Sequence, residues 1–133
     1  MAEIAKSGRP SVSTLGYHAA ANTLSGLYAG ESITAGDACY IKSDGKVYKS
    51  SGAAVGEAAA VHGFAPQDYR PNEPMTLIFN VTFRYGARLT PGKAVYLSGS
   101  VAGGLADAAS TGGAAPIGFV IDATRIYLFQ SRY

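Results

Sequence analysis

Short apolar runs separated by turn-forming residues make up most of the sequence after residue 27. The strongest runs are Ala38 to Lys42, Met75 to Tyr85, Ile117 to Ile121 and Ile126 to Phe129. In the longest of them, apolar residues occupy every second position, which is typical of a strand with one buried face. The other runs are short, as strands are, and glycine, proline, serine and aspartate lie between them. This pattern predicts an all-β fold.

One stretch of the chain, Ile33–Ile41, occurs a second time as Leu89–Leu97, with threonine, glycine, alanine and tyrosine at matching positions. Two later pairs of segments follow in the same order: Val61–Phe64 with Pro116–Phe119, and Met75–Phe79 with Arg125–Phe129. A repeat of this length indicates one supersecondary unit used twice. Because 133 residues are too few for two ordinary domains, we predict that two related strand-turn-strand units share a single core.

Glycines mark the turns of the repeated stretch. Gly36 and Gly92 occupy matching positions, where glycine suits the third residue of a type II turn. Asp44-Gly45 predicts a two-residue hairpin in which Ser43 pairs with Lys46.

Cys39 and Ile41 lie on one face of the first predicted strand. The matching residues of the second copy, Val95 and Leu97, are also apolar. This identity predicts a face that belongs to the core, on which Cys39 is a buried packing residue and not a reactive thiol.

The first 27 residues have no counterpart in the repeat. Small and hydroxyl residues surround isolated apolar ones, and neither a helical nor an alternating period is sustained. A short helix over His18 to Leu24 is one alternative to an extended N-terminal arm. Such an arm buries little surface by itself, so we expect residues 1–27 to order on binding. Residues 28–133 then form a single β domain, with repeat one over about residues 28–80 and repeat two over about residues 81–131.

Comparison of the two repeats distinguishes two loops of the first copy. Ala53–Ala60 is rich in alanine, but its counterpart contains Gly112-Gly113, so a loop is predicted in both copies. Pro66–Pro74 is longer than its counterpart, contains three prolines, and carries tyrosine and arginine, which are favoured in interfaces, at its tip. With residues of the arm, these form the predicted set of contacts with a partner or another subunit: Ile4, Arg9, Val12, Leu15, Tyr17, Leu24, Tyr69 and Arg70.

Charge and cysteine content exclude several classes of partner. The 11 basic and 9 acidic residues are scattered and give a net charge of +2, so no basic stripe is present for a nucleic acid. The single cysteine allows no intrachain disulfide. The N-terminus does not resemble a signal peptide, and no apolar run is long enough to span a bilayer. We therefore expect a protein made in the cytoplasm that binds neither nucleic acid nor membrane.

The residues that could carry chemistry predict no catalytic, metal or cofactor site. His18 and His62 have no carboxylate or second histidine at metal-ligand spacing. His62 corresponds to Ile117 of the second copy, which favours a histidine in the core or at its rim. Gly99–Gly104 lacks the Gly-Lys-[Ser/Thr] sequence of a phosphate loop and is interpreted as a hairpin. We therefore expect no enzyme activity and no cofactor.

The repeated stretch reads [Ile/Leu]-Thr-x-Gly-x-Ala-x-Tyr-[Ile/Leu], and each copy continues through a hairpin and a loop into [Ile/His]-Gly-Phe. Over about Tyr28 to Ser131, this pattern resembles the small decoration, or cement, proteins of tailed-bacteriophage heads. The resemblance implies a compact β-barrel or β-tulip-like module that forms a homotrimer. It also implies binding to the major capsid protein on the exterior of the virion, at three-fold or quasi-three-fold positions, where the protein stabilises the shell.

Two other classes of function are compatible with these residues. A receptor- or glycan-binding module of a phage fibre or spike would use some of the nine tyrosines as stacking surfaces, and it predicts exposed aromatic residues clustered at one end. A small enzyme or a regulatory β-barrel domain would need polar residues that converge in a pocket.

Overall fold

The computed structural model describes residues 3–12, 22–53 and 55–131, which contain twelve β-strands and no α-helix. One 3-10 turn, Glu57–Ala59, lies in the alanine-rich segment, whose other described residues form the predicted loop. The strands are β1 (Glu3–Ile4), β2 (Ser11–Val12), β3 (Asn22–Tyr28), β4 (Ala38–Ile41), β5 (Val47–Lys49), β6 (Gly63–Phe64), β7 (Pro74–Phe79), β8 (Val81–Arg84), β9 (Ala94–Leu97), β10 (Leu105–Ala106), β11 (Gly118–Val120) and β12 (Arg125–Leu128).

The strands form two antiparallel sheets, and each repeat supplies the centre of one of them. The five-stranded sheet has the order β3-β7-β6-β4-β5, and the seven-stranded sheet has the order β1-β10-β9-β11-β12-β8-β2. The run β5-β4-β6-β7 of the first repeat therefore matches the run β10-β9-β11-β12 of the second. The all-β prediction is confirmed, and the seven-stranded sheet curls into half a barrel within a barrel-like module.

The strand register shows which residues of the two repeats are equivalent. In the five-stranded sheet Phe64 lies opposite Ala38 on one side and Ile78 on the other. In the seven-stranded sheet Phe119 lies opposite Ala94 and Tyr127 in the same way. Ile78 therefore corresponds to Tyr127. The sequence comparison, which matches Ile78 with Leu128, is wrong by one residue at this strand.

The two predicted glycine turns are confirmed. Gly36 and Gly92 have φ values of 84° and 85°, the left-handed conformation that a type II turn requires at its third residue. The N–H of the residue after each glycine donates to the carbonyl of the first turn residue, at 3.1 Å in the first copy and 3.3 Å in the second.

The hairpin between β4 and β5 differs from the prediction. Ile41 pairs with Val47, one residue away from Tyr48, which a two-residue turn would place opposite it. The loop is therefore Ser43-Asp44-Gly45, and its glycine has a φ of 88°. A glycine in this conformation forms the bulge that closes a three-residue hairpin, so the predicted two-residue turn is wrong.

The apolar run from Met75 to Tyr85 is not one strand, as predicted, but two. It breaks at Asn80, where φ is 52°, and the halves β7 and β8 belong to different sheets. Asparagine tolerates this left-handed conformation better than most residues. The segment is thus the point where the chain crosses from the sheet of the first repeat to the sheet of the second.

The described N-terminal residues are extended, and they pair with strands of the same chain. β1 pairs with β10 and β2 with β8, at opposite edges of the seven-stranded sheet, while β3 pairs with β7. The expectation that the arm orders on a partner is therefore wrong for residues 3–12 and 22–27. The alternative helix over His18 to Leu24 is contradicted at residues 22–24, which belong to β3, and residues 18–21 lie outside the described residues.

Two groups of buried side chains fill the protein. The main core covers one face of the seven-stranded sheet and includes Phe64 and Ile78 from the five-stranded sheet. Phe64 and Phe83 join the sheets, with ring centroids 6.4 Å apart, so the predicted shared core is present. A second core, which the sequence does not predict, contains Cys39 and Leu77 from the other face of the five-stranded sheet. That sheet is therefore buried on both faces.

Candidate functional site

Residues 3–12, called here the N-terminal strap, link the two edges of the seven-stranded sheet. Between β1 and β2, the Ser7 N–H donates to the Tyr85 carbonyl at 2.8 Å. At the β1 end, the Ser98 hydroxyl donates to Glu3 Oε1. Burial raises the pKa of Glu3, and the hydrogen bond from Ser98 opposes that shift. The strap thus covers both edge strands that would otherwise be open.

The strap also contacts the first repeat, through an ion pair between Lys6 and Asp37. Lys6 Nζ lies 2.6 Å from Asp37 Oδ1 and 3.1 Å from Thr34 Oγ1. The other carboxylate oxygen, Oδ2, accepts hydrogen bonds from the Thr34 N–H at 2.8 Å and from its hydroxyl at 3.0 Å. The Asp37 side chain is 6% exposed and that of Lys6 is 26% exposed. The carboxylate therefore holds the repeated turn and the strap together in a largely buried position.

Pro10 of the strap rests on the glycine of the same turn. A Cβ added at Gly36 would lie 2.9 Å from two ring atoms of Pro10, which is closer than packed side chains approach. At the equivalent Gly92, φ has nearly the same value, and no described atom lies within 4 Å of an added Cβ. The two glycines thus differ in whether the strap covers them.

Alanine substitutions at these glycines measure how firmly the strap is docked. We expect Gly92→Ala to lower the free energy of unfolding by about 1–2 kcal/mol, the cost of a left-handed alanine. Gly36→Ala has the same conformational cost and also displaces Pro10, so its effect should be larger by about 1 kcal/mol. Urea denaturation of both variants measures the difference. Equal effects would show that Pro10 does not rest on the turn.

The two segments without a counterpart in the repeat, the strap and Pro66–Pro74, meet at an ion pair. Arg9 Nη2 lies 3.0 Å from Asp68 Oδ2, with the side chains 74% and 46% exposed. Asp68 Oδ1 also accepts a hydrogen bond from the Ala35 N–H at 2.9 Å. Residues of both segments and of the repeated turn line a cavity of about 220 Å³. We call this the junction surface: Lys6–Pro10, Thr34–Asp37 and Asp68.

Four of the predicted contact residues face the interior. Ile4 is buried in the main core and Tyr69 in the second core, where the backbone of Tyr69 bridges to Ile33. Their prediction as contacts is contradicted, because burial within the chain leaves almost none of their surface for a partner. Val12 and Leu24 are half-buried and pack against the same two cores.

Two of the predicted contact residues, Arg9 and Arg70, are exposed. Arg9 belongs to the junction surface, and Arg70 follows Asp68 by two positions on the loop. Leu15 and Tyr17 lie outside the described residues, and their role stays a prediction.

Two larger cavities flank the strap, and Glu3–Lys6 line both of them. One, of about 540 Å³, lies beside the turn of the second repeat and is lined in part by Leu89, Lys93 and Val120. The other, of about 400 Å³, lies on the side of the first repeat and includes Asp37. Within residues 3–12, 22–53 and 55–131, no group of three or more histidine, cysteine, aspartate or glutamate side chains could hold a metal ion.

Cys39 and His62 both have structural roles. Cys39 is fully buried, and burial raises the pKa of its thiol, so the predicted packing role is confirmed. His62 is half-buried at the rim, as predicted, and its Nδ1 accepts a hydrogen bond from the Ile41 N–H at 2.8 Å. Burial lowers the pKa of His62, which favours the neutral ring that can accept this bond. The predicted hairpin at Gly99–Gly104 is confirmed as the connection between β9 and β10.

Two features of the surface are not predicted by the sequence. One is the Lys6–Asp37 pair, because Lys6 is distant in sequence from the turn that it contacts. The other is a row of aromatic rings on the outer face of the seven-stranded sheet. Phe119 and Tyr127 have centroids 5.4 Å apart, and Tyr127 and Phe129 have centroids 6.4 Å apart. The alternating pattern of β11 and β12 contains this signal, but it does not tell which face is outward.

Comparison with known proteins gives no matching family model and no curated protein with a similar sequence. Among the residues that the structure describes, no helix is long and apolar enough to cross a membrane. A function for this chain must therefore be inferred from its own residues.

Proposed function

We propose that this protein is a decoration protein of a tailed-bacteriophage head. In this role it binds the major capsid protein on the outer surface of the capsid, as a homotrimer at three-fold or quasi-three-fold positions, and stabilises the shell. The duplicated stretch carries the proposal, because its pattern resembles that of such proteins. In this chain β4 and β9, in which the two copies of the stretch end, hold matching positions in the two β-sheets.

The construction of the fold is compatible with a purely mechanical role. The strap pairs with both edge strands of the seven-stranded sheet and is bonded to the turn of the first repeat. The two sheets are joined by a shared core, so a load on one is transmitted to the other. Many copies on a repeating lattice act together, and a modest affinity of each copy is then sufficient.

The junction surface is the described region best suited to contact a capsid. It unites the two segments that the repeat does not explain. Arg9 is exposed on this surface, and Arg70 is exposed on the loop that carries Asp68. Arginine is favoured at interfaces because its planar guanidinium makes paired hydrogen bonds to carboxylates. Asp68 already pairs with Arg9, so we propose that carboxylates on the capsid bind Arg70 and compete with Asp68 for Arg9.

The test uses undecorated capsids of the phage that encodes the protein. We expect Arg9→Ala combined with Arg70→Ala to weaken binding at least about tenfold, because a truncated interface arginine commonly costs more than 1 kcal/mol. Binding is measured by cosedimentation with the capsids. Cryo-electron microscopy of decorated capsids then locates the bound protein.

The matched control is Lys42→Ala combined with Lys93→Ala, which removes the same charge from exposed residues outside the junction surface and the loop Pro66–Pro74. It should bind as the wild type does, and both double variants should keep the wild-type melting temperature. Weaker binding of the lysine variant alone would place the contact elsewhere. Failure of the wild-type protein to bind capsids would refute the proposed function.

The row of aromatic rings formed by Phe119, Tyr127 and Phe129 favours a second candidate, the receptor- or glycan-binding module. Aromatic faces stack on sugar rings through the same apolar and electrostatic contacts that they make with each other. This candidate predicts adsorption of the purified protein to host cells. Binding to capsids with no adsorption to cells would exclude it.

A further inference from the structure

The outer face of the seven-stranded sheet carries three aromatic side chains in contact: Phe119, Tyr127 and Phe129, called here the aromatic row. Phe119 is 45% exposed, and it is one of four large hydrophobic residues that stand out from the surface of the described chain. An antiparallel sheet that faces water on one side normally carries polar residues there. A continuous aromatic row on such a face therefore requires an explanation.

The equivalent face of the first repeat is an interface. Phe64 and Ile78 hold the register positions of Phe119 and Tyr127, and both are buried. Phe64 packs against Phe83 of the seven-stranded sheet, and both belong to the main core. One face of the repeated unit is thus covered by the other unit in the first copy and partly open in the second.

We propose that the aromatic row is a self-association surface, which a second copy of this chain covers. In the first repeat, the covering partner is a unit of the same kind, namely the second repeat. Among the described residues, no such unit covers the aromatic row of the second repeat, and a second copy of this chain can supply one. The inference rests on the proposed function only in assigning a surface to the homotrimer, and the observations that carry it involve no capsid.

The charges around the aromatic row are compatible with burial of its rings against another copy of the chain. Arg125 is already neutralised within the chain, because its Nε lies 2.8 Å from Asp122 Oδ2. Arg84 pairs in register with Arg125, two positions along the strand from Tyr127, so this exposed charge lies at the rim of the aromatic row. Charged residues at the rim and aromatic residues at the centre are the usual arrangement of a protein interface.

The size of the aromatic row sets the expected strength of association. Three partly exposed rings supply a few hundred Å² at most, whereas a stable interface buries about 800 Å² on each partner. Association through this surface should therefore depend on protein concentration, with single chains at high dilution.

Sedimentation equilibrium of the full chain, without capsids, tests the proposal. The wild-type protein should change with increasing concentration from the mass of one chain, 13.7 kDa, to a multiple of it. Phe119→Thr combined with Tyr127→Thr should stay at the mass of one chain over the same range. Threonine suits a strand face that contacts water, as Thr82 does beside Tyr127. The control Tyr28→Thr removes a ring that is 53% exposed and should associate as the wild type does.

Each outcome supports or overturns the proposal. A wild-type protein that remains a single chain at every concentration overturns it, and so does a double variant that associates normally. Near-ultraviolet circular dichroism establishes that the variants are folded. If the wild type is a single chain and the double variant loses capsid binding, the aromatic row is a capsid contact instead. If the wild type associates but does not bind capsids, the proposed function fails and the self-association surface stands.

Discussion

Phe83→Ala should lower the free energy of unfolding by about 3–5 kcal/mol, the usual cost of removing a fully buried phenylalanine side chain. Phe83 is completely buried on β8, just after the chain crosses between the sheets, and its ring contacts Phe64 of the other sheet. The cavity would therefore open between the two repeats. Because both sheets contribute to its walls, neither can relax into it without moving the other. Urea denaturation measures the change.

A double-mutant cycle at Phe64 and Phe83 tests whether the two repeats unfold as one unit. Leucine is used at both positions, since two alanine cavities together approach the whole stability of a typical domain. We expect a coupling of about 0.5–1.5 kcal/mol between the two rings. The control Tyr28→Ala, at a largely exposed ring, should change stability by less than about 0.5 kcal/mol. Additive effects, or two separate unfolding transitions, would show that the sheets do not share a cooperative core.

The turns could be predicted from the sequence because the residues within each turn determine its backbone conformation. A glycine at the third position of a turn specifies left-handed backbone, and Gly36 and Gly92 both adopt it. The same reasoning was incomplete at Gly45. Glycine closes two-residue and three-residue hairpins alike, so the residue type alone did not decide the register. The pairing of Ile41 with Val47 depends on the whole loop.

The path of the chain between sheets could not be predicted, because alternating apolar residues continue without interruption from Met75 to Tyr85. A strand that changes sheets shows the same alternation as one that does not, and only the conformation of Asn80 separates the two cases. The burial of Tyr69 could not be predicted either, because residue type does not show how a loop folds. Tyr69 belongs to a residue type that is common in interfaces, but the loop that carries it folds back onto Ile33 and buries the ring.

The strap has no counterpart in the repeat, and its place in the structure shows that such a segment need not bind a partner. Its residues lack a counterpart because they form the two edge strands of a sheet whose central strands come from the second repeat. Without the strap, that sheet would have two open edges, and an unpaired strand edge invites association with other chains. A segment that completes a fold and a segment that binds a partner both lack a counterpart in a repeat, so the comparison of the repeats does not distinguish them. The sequence therefore distinguished residues 3–12 from the repeat, but it predicted that they order on a partner, whereas they pair with a sheet of their own chain.

Asp37→Ala should lower the free energy of unfolding by about 3 kcal/mol and release the strap from the first repeat. The carboxylate accepts three hydrogen bonds, one from Lys6 and two from Thr34, and hydrogen bonds to charged groups contribute about 1.5–3 kcal/mol. Removal of one partner from a buried ion pair costs about 3–5 kcal/mol. The partial exposure of Lys6 places the expected value at the lower end of that range.

Asp68→Ala is the matched control for this substitution, because Asp68 also joins a strap residue to a repeated turn. Its ion pair with Arg9 is largely exposed, and exposed pairs contribute about 0–1 kcal/mol. We therefore expect Asp68→Ala to change stability by roughly 1 kcal/mol, including its hydrogen bond from Ala35. Hydrogen exchange at the Ser7 amide, which is bonded to Tyr85, reports docking of the strap. Faster exchange in Asp37→Ala but not in Asp68→Ala would show that the buried carboxylate holds the strap. Equal effects of the two variants would contradict this assignment. They would show that contacts along the whole strap contribute to its docking.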